Sequence, residues 1–242
     1  MRWIYLSPHL DDAVLSCGGL IHEQVLSKIR VEIWTICAGD PPEGELSLLA
    51  RRLHHEWGTG SDTPSARREE DIAACQQLGA RHRHLPFLDC IYRQGIEGDW
   101  IYPSDESIQG EVSRQDDITI STLRVFLLTI LKPDDILICP LAIGRHVDHQ
   151  MVRKAVEGLD RALLYYTDLP YIFNHPGELN KAIGVMPSEL YPFSMLSLTT
   201  WQEAILNYAS QISSLFGDPS RMRDAISEYY LKEHGMCLWK SG

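Results

Sequence analysis

Two short clusters hold the residue types that could do chemistry. One is Pro8-His9-Leu10-Asp11-Asp12, near the start of the chain; the other is Arg145-His146-Val147-Asp148-His149, in its second half. Two imidazoles and a carboxylate suit a catalytic zinc site, in which three protein ligands leave one position open for water. His9, Asp12 and His149 can supply that set. Asp11 would then stay unliganded beside a water made acidic by the metal, where it can serve as general base. His146, one helical turn before His149, could donate a hydrogen bond or proton to a developing oxyanion or leaving amine. Asp148 is placed to orient a histidine through its second nitrogen.

Each cluster alone has a simpler reading. Asp11 and Asp12 could N-cap the helix that follows them, a frequent use of aspartate. The second cluster could be a polar loop capped by Asp148. A phosphate cradle is weaker than either, because neither cluster carries a glycine-rich loop.

Positioning the clusters falls to the elements that precede them. Trp3 to Leu6 reads as a short buried strand stopped by Pro8 and the acidic pair, and Ala13 to Lys28 has helical spacing. Gly18 and Gly19 inside that helix lower its intrinsic stability, so close backbone packing is their expected reason. Val31 to Cys37 is a second strand, Pro64 to Leu78 a helix ending at Gly79, and Arg83 to Leu85 a third strand. Ile118 to Leu131 reads as a helix and Asp135 to Leu141 as a buried strand. Met151 to Leu159 is a helix and Leu163 to Thr167 a strand. This alternation predicts βαβ units in an α/β fold with a mostly parallel sheet and helices on both faces. Ligands bind such sheets at the carboxyl ends of strands, and both clusters fall there.

Residues 89–117 are polar and rich in turn formers, and read as a long loop of the kind that carries substrate contacts. The last 50 residues look mainly helical and are expected to cover the sheet. The 242 residues are enough for one large α/β domain, with a motif-bearing core over 1–170 and a mainly helical part over 171–242.

Bulk properties exclude several classes. Apolar residues make up 44% and charged residues 23%, an ordinary globular balance. The formal charge of −11 argues against a nucleic-acid partner, which needs basic patches. Arg67, Arg68, Arg81 and Arg83 form a local cluster, but they sit among carboxylates. Six cysteines show no CxxC pair, and Cys37 and Cys139 lie inside apolar runs. No stretch approaches the roughly 18 apolar residues of a membrane span. Asp11 and Asp12 also come too soon for the apolar stretch of a signal peptide, so the chain reads as soluble and cytoplasmic.

SPHLDDAVLSCGG followed by GRHVDHQMV resembles the N-acetylglucosaminylphosphatidylinositol deacetylase/LmbE-like family, the PIG-L deacetylases. Members of that family carry a histidine, a proline and two aspartates ahead of a glycine pair, and a His-x-Asp-His motif later. The segment ARREEDIAACQQLGA is similar to an intermediate family motif, with Arg68, Glu70, Ala74, Leu78 and Gly79 in matching places. LYYTDLPY also looks like this group, so the resemblance covers roughly residues 1–170. It implies a Rossmann-like fold, a zinc (or other divalent metal) cofactor held by His9, Asp12 and His149, and Asp11 as the base. It implies His146 as the residue that stabilises the transition state and Arg68 as a substrate contact, although an ion pair of Arg68 with Glu70 or Asp71 is an equal alternative.

The activity implied is removal of an N-acetyl group from an amino sugar or small glycoside. Family substrates include glucosaminyl inositols, glucosaminyl malate, phosphatidylinositol glycolipids and chitooligosaccharides. Three departures stand out: Leu10 replaces the usual proline, Ala13 a frequent acidic residue, and Gly144-Arg145 precede His146 where some members carry a tyrosine. The competing readings are a metal hydrolase for another amide or an ester, and a sugar-binding protein without catalysis, which would have no need of both Asp11 and His146. Association into a homo-oligomer stays open.

The remaining candidates read as structural. His54 and His55 fall in a polar helix, His82, His84 and His175 have no partner motif, and Tyr165 and Tyr166 are strand residues first. Trp100 and Tyr102 read as loop anchors that could otherwise stack on a sugar.

Overall fold

The structure is a computed structural model and describes residues 1–59 and 62–241. Its strands are β1 (Trp3–Ser7), β2 (Val31–Thr35), β3 (Arg81–His84), β4 (Ile136–Pro140), β5 (Leu163–Tyr166), β6 (Ser188–Tyr191) and β7 (Met236–Lys240). In the first half of the chain, α1 (Asp12–Leu26), α2 (Leu48–Trp57), α3 (Thr63–Leu78), α4 (Asp105–Ile108) and α5 (Asp117–Ile130) connect them. In the second half come α6 (Val147–Glu157), α7 (Tyr171–Asn174), α8 (Leu179–Ile183), α9 (Met195–Ile205), α10 (Ala209–Phe216) and α11 (Pro219–Glu233).

One sheet runs in the order β3-β2-β1-β4-β5-β7-β6. The first five strands in that order are parallel, with Trp3 opposite both Val31 and Ile136, so the three strands expected to be parallel are so. Side chains alternate between the two sheet faces, and each face buries its own helices. Tyr5, Ile33 and Ile138 pack with α1, α3, α9 and α11 on one face. Ile4, Leu6, Trp34, Leu137 and Cys139 pack with α5 and α6 on the other. Each such large apolar side chain, fully buried, contributes on the order of 1.5–3 kcal/mol. Helices on both faces of a mostly parallel sheet are the architecture expected.

The glycine pair of α1 is there for contact. A methyl group on Gly18 would lie 2.2 Å from the Trp201 ring, and one on Gly19 2.6 Å from Phe193. Without side chains at these positions, α9 lies directly against α1.

The C-terminal part is less purely helical than the sequence suggested. It supplies β6 and β7, which extend the sheet beyond β5 with antiparallel pairings. β6 is only four residues long and mostly exposed, so no apolar alternation marks it. The pairing of β7 with β5 joins residues about 75 apart in the chain, Tyr165 with Trp239. Strand β3 begins two residues earlier than expected because register with β2, Glu32 opposite Arg81, extends its ladder. The 89–117 segment contains α4 and two short 3₁₀ turns, and packs Cys90, Ile91, Tyr92, Tyr102 and Ile108 against Leu49 and Ala50 of α2. Tyr102 anchors it, buried and donating its hydroxyl to Asp116 at 2.7 Å. All six cysteines are free, with Cys37 and Cys139 buried. Among the described residues no helix is long and apolar enough to cross a membrane.

Candidate active site

From β1 the chain continues outward through β2 and β3 on one side, and from β4 through β5 on the other. The crevice between the carboxyl ends of β1 and β4 is therefore a topological switch point, where open α/β sheets bind ligands. The loop after β1 carries His9 and Asp11 and enters α1 at Asp12, and the loop after β4 ends at His146 and enters α6, whose first turn holds Asp148 and His149. Adjacency of the two strands brings the clusters into contact: the His9 ring centroid lies 4.7 Å from that of His146 and 5.5 Å from that of His149.

Neither aspartate of the first cluster caps α1. Asp11 stands at the N-cap position with no side-chain bond to the helix, and the amide of Ala13 donates to Ser7 Oγ at 2.9 Å. Ser7 Oγ in turn donates to His9 O at 2.7 Å, which folds the loop back on itself. Asp12 Oδ2 accepts from the His9 amide at 2.7 Å, and both Asp12 oxygens face imidazoles. His9 Nδ1 lies 3.2 Å from Oδ2, and His149 Nε2 3.2 Å from Oδ1.

The far nitrogens of the two rings are held by other carboxylates. His9 Nε2 is 3.0 Å from Asp148 Oδ2, and His149 Nδ1 is 2.7 Å from Asp168 Oδ1. Asp168 is itself held by the Ile143 amide at 2.9 Å. That leaves His9 Nδ1 and His149 Nε2 facing Asp12, where each can offer a lone pair to a bound ion. The second cluster reaches this geometry through a tight loop, with left-handed backbone at Ala142, Gly144 and Arg145. At Gly144 a side chain would also meet the Tyr171 ring at 2.4 Å, and that ring packs edge-on against His149 at 5.5 Å.

Burial sets the electrostatics. It pushes Asp11 up to about 6, helped by the negative charge of Asp12 and opposed by Arg67, whose Nη2 is 3.3 Å from Asp11 Oδ2. Burial would lower the pKa of His149, but Asp12 and Asp168 outweigh it and raise it to about 9. His9 is likewise raised against burial, by Asp89, Asp12 and Asp148. His146 goes the other way, lowered by burial and by the neighbouring His9. It is thus a neutral imidazole. Its Nδ1 accepts from the Asp148 amide at 3.3 Å, which leaves Nε2 to carry the proton.

The donor set fits a divalent cation. His149 Nε2 is buried without a hydrogen-bond partner, although Asp12 Oδ1 lies 3.2 Å away. Ligand atoms about 2.1 Å from a common tetrahedral ion stand roughly 3.4 Å apart, and each imidazole has one Asp12 oxygen at 3.2 Å, Oδ2 for His9 and Oδ1 for His149. Ring nitrogens of His9, His146 and His149 also lie within 4.8 Å of one another.

A cavity of about 190 Å³ opens over this cluster, lined by His9, Asp11, Asp12 and His146 at its base. Trp57 and Leu53 of α2, Ile91, Ile108 and Gln109 of the 89–117 segment, and Gln211 and Leu215 of α10 form its walls. Six of the seven residues singled out from the sequence therefore meet. The seventh, Arg68, donates to Ala38 O at 3.0 Å and to Asp40 Oδ1 at 2.8 Å, pinning the loop after β2. Its neighbour Arg67 lines the cavity instead, stacked 4.5 Å from the Trp57 ring centroid. Sequence reasoning missed Arg67, Arg93, Asp168 and the α10 residues; the LYYTDLPY segment was noted, but nothing in it marked Asp168 as the partner of His149. The other histidines are not ligands of this cluster: His54 bonds the Tyr92 hydroxyl, and His84 lies 2.7 Å from Asp71.

This fold gathers imidazoles and carboxylates at its switch point, with Asp11 paired, among the described residues, only to Arg67, in a site on an α/β sheet able to take a divalent cation. The chain belongs to the PIG-L family, described as GlcNAc-PI de-N-acetylase, whose sequence profile matches residues 4–159. It is 25% identical to a 2'-N-acetylparomamine deacetylase of Niallia circulans over 98% of this chain and 93% of that protein. It is 30% identical to a 2'-N-acetylparomamine deacetylase of Streptomyces fradiae over 70% of this chain and 57% of that one. Among solved structures, the zinc-inhibited form of the teicoplanin deacetylase Orf2 superposes with a TM-score of 0.84, at 26% identity over 99% of this chain and 97% of that one. The chain is thus an amide hydrolase of the N-deacetylase class.

Proposed function

We propose that this protein is a zinc-dependent deacetylase that frees the amino group of an N-acetyl amino sugar within a small glycoside. The observation that carries the reading is the convergence of His9 Nδ1 and His149 Nε2 on Asp12, with Asp11 beside them and outside the set. His9, Asp12 and His149 would hold the ion, and Asp148 and Asp168 would orient the two rings. When bound, the ion would polarise the acetyl carbonyl and make a water more acidic.

The protein's own groups do the rest. Asp11 accepts the proton of the attacking water, since burial has raised its pKa toward neutrality while leaving it ionised at pH 7. His146, neutral and with its proton on Nε2, donates a hydrogen bond to the oxygen that becomes anionic. The departing amine takes up a proton as the carbon–nitrogen bond breaks, and Asp11, protonated by then, is the nearest acid.

The cavity walls suit a sugar: Trp57 and Leu53 present apolar surface to ring carbons, while Gln109 and Gln211 offer amides to hydroxyls. Substrate contact falls on Arg67 in this reading, because Arg68 is engaged with Ala38 and Asp40. The relatives support the same class, one named a 2'-N-acetylparomamine deacetylase and the other a teicoplanin deacetylase.

Zinc stoichiometry and acetate release from a panel of N-acetylated amino-sugar glycosides test the proposal together. Acetate should appear with at least one of them, and chelation should abolish it. A folded, zinc-replete protein that hydrolyses only esters or other amides would overturn it.

A further inference from the structure

The 89–117 segment does more than wall the cavity. Arg93, only 5% exposed, places Nη2 2.6 Å from Asp148 Oδ1 and 3.1 Å from Asp116 Oδ2, and donates from Nη1 to Leu88 O at 3.4 Å. Tyr102 supports it twice: its ring lies 5.3 Å from the guanidinium carbon, and its hydroxyl donates to Asp116. Asp148 is fully buried, and among the described residues its Oδ1 has no hydrogen-bond partner, only the Arg93 charge at 2.6 Å. Oδ1 faces Arg93, while Oδ2 lies 3.0 Å from His9 Nε2 and accepts from the Cys90 amide at 2.9 Å.

We infer that Arg93 is a positioning residue for the metal centre, clamping Asp148 so that Asp148 holds the His9 ring with Nδ1 toward Asp12. The inference rests on the zinc-site reading above and adds a residue to it. The physical reason is that a buried carboxylate stripped of its counter-charge is costly, so the group moves to find another partner. Without Arg93, Oδ1 loses its cation, and a turn of the Asp148 carboxylate toward another partner takes Oδ2 off His9 Nε2. The ring is then free to rotate, and its lone pair no longer converges with that of His149. Among the described residues, the hydrogen bond, ion pair and ring contact that hold Arg93, apart from Asp148 itself, come from Leu88, Asp116 and Tyr102 of the same segment. Segment and metal centre are therefore one unit: Ile91 and Ile108 touch the substrate cavity while Arg93 and Cys90, beside them, hold the ligand shell.

Metal affinity of the apo-protein, measured by competition with a chromophoric zinc chelator, tests this without any turnover. Loss of a group that orients a ligand typically weakens metal binding about 10–100-fold, and Arg93→Met and Arg93→Gln should fall in that range. Arg93→Lys, which restores the cation, should recover part of the loss. Because Arg93 acts through Asp148, Arg93→Met combined with Asp148→Asn should bind no more weakly than Asp148→Asn alone. A core variant remote from the network, Leu123→Ala, controls for general loss of stability and should bind zinc like the parent.

Unchanged affinity in a folded Arg93→Met or Arg93→Gln, or losses that add in the double variant, would overturn the inference. If neither neutral variant folds, Arg93→Lys decides: affinity reduced severalfold supports the clamp, and parental affinity overturns it. A parent protein that binds no zinc would instead remove the reading on which the inference rests.

Discussion

Asp168 Oδ1 lies 2.7 Å from Nδ1 of His149, while Asp148 takes the opposite nitrogen, Nε2, of His9. The two carboxylates thus take opposite nitrogens of the two rings, and the remaining nitrogens, His9 Nδ1 and His149 Nε2, both face Asp12. Asp168→Ala should weaken zinc binding about 10–100-fold, since His149 loses the group that fixes its ring. Asp168→Asn should do less harm, because the amide oxygen can still accept from Nδ1. Chelator competition measures both, and equal affinities in all three proteins would show that Asp168 serves only the Ile143 amide.

Asp11 and Asp12 are neighbours with separate tasks, so the same substitution should injure them differently. Asp11→Asn should keep zinc and lose on the order of 10²–10⁴ in kcat, the usual scale for losing a general base. Asp12→Asn should lose zinc, because an anionic ligand has gone. Zinc stoichiometry beside acetate release separates the two, and full activity in Asp11→Asn would reverse the assignment.

The base should also be visible in the pH profile. Asp11 works only when ionised, so kcat/KM should climb with pH through its pKa, about 6 for the protein without metal, and level off above it. A cation nearby favours the ionised form, so the acid limb of the zinc enzyme should have its midpoint at or below pH 6. Arg67→Met removes a cation 3.3 Å from Asp11, which raises that pKa; the limb should move to higher pH by about one unit. Profiles of parent and variant that superimpose would separate Arg67 from the base.

At the other end of the strands, Arg2 donates Nε to Asp135 Oδ1 at 2.8 Å, and the Lys132 amide donates to Oδ2 at 2.7 Å. Burial alone would raise the Asp135 pKa, but these bonds outweigh it and hold the carboxyl below its ordinary range. A pKa lower in the folded than in the unfolded chain stabilises the fold above the unfolded value, near 3.9, and that stability drains away as pH falls through the folded value. Asp135→Asn should therefore cost about 1–3 kcal/mol at pH 7. The gap to the parent should narrow below about pH 4 in denaturant titrations. A gap that stays constant down to pH 3 would mean that charge plays no part.

Much of the site was legible before folding. Strand, stop and acidic pair at WIYLSPHLDD, and strand then His-x-Asp-His at DILICP and HVDH, put both clusters at carboxyl strand ends wherever the strands fall in a parallel sheet. The buried runs also marked β1, β2 and β4 as parallel-sheet strands, since period and residue type are local properties of the chain. Other features depend on contacts between segments far apart in sequence, for which no local signal exists. The choice between Arg67 and Arg68 is one helical step of about 100°, and only the packing of α3 beside α1 decides which faces Asp11. Arg93 and Asp168 look like ordinary loop residues until β1 pairs with β4 and brings Asp148 to His9. β6 carries no apolar alternation, and β6 and β7 become strands because β7 pairs on the edge of β5 and β6 on β7. The residues that do the chemistry were thus written into short motifs, and the residues that aim them were decided by tertiary structure, because aiming a side chain requires a partner from elsewhere in the fold.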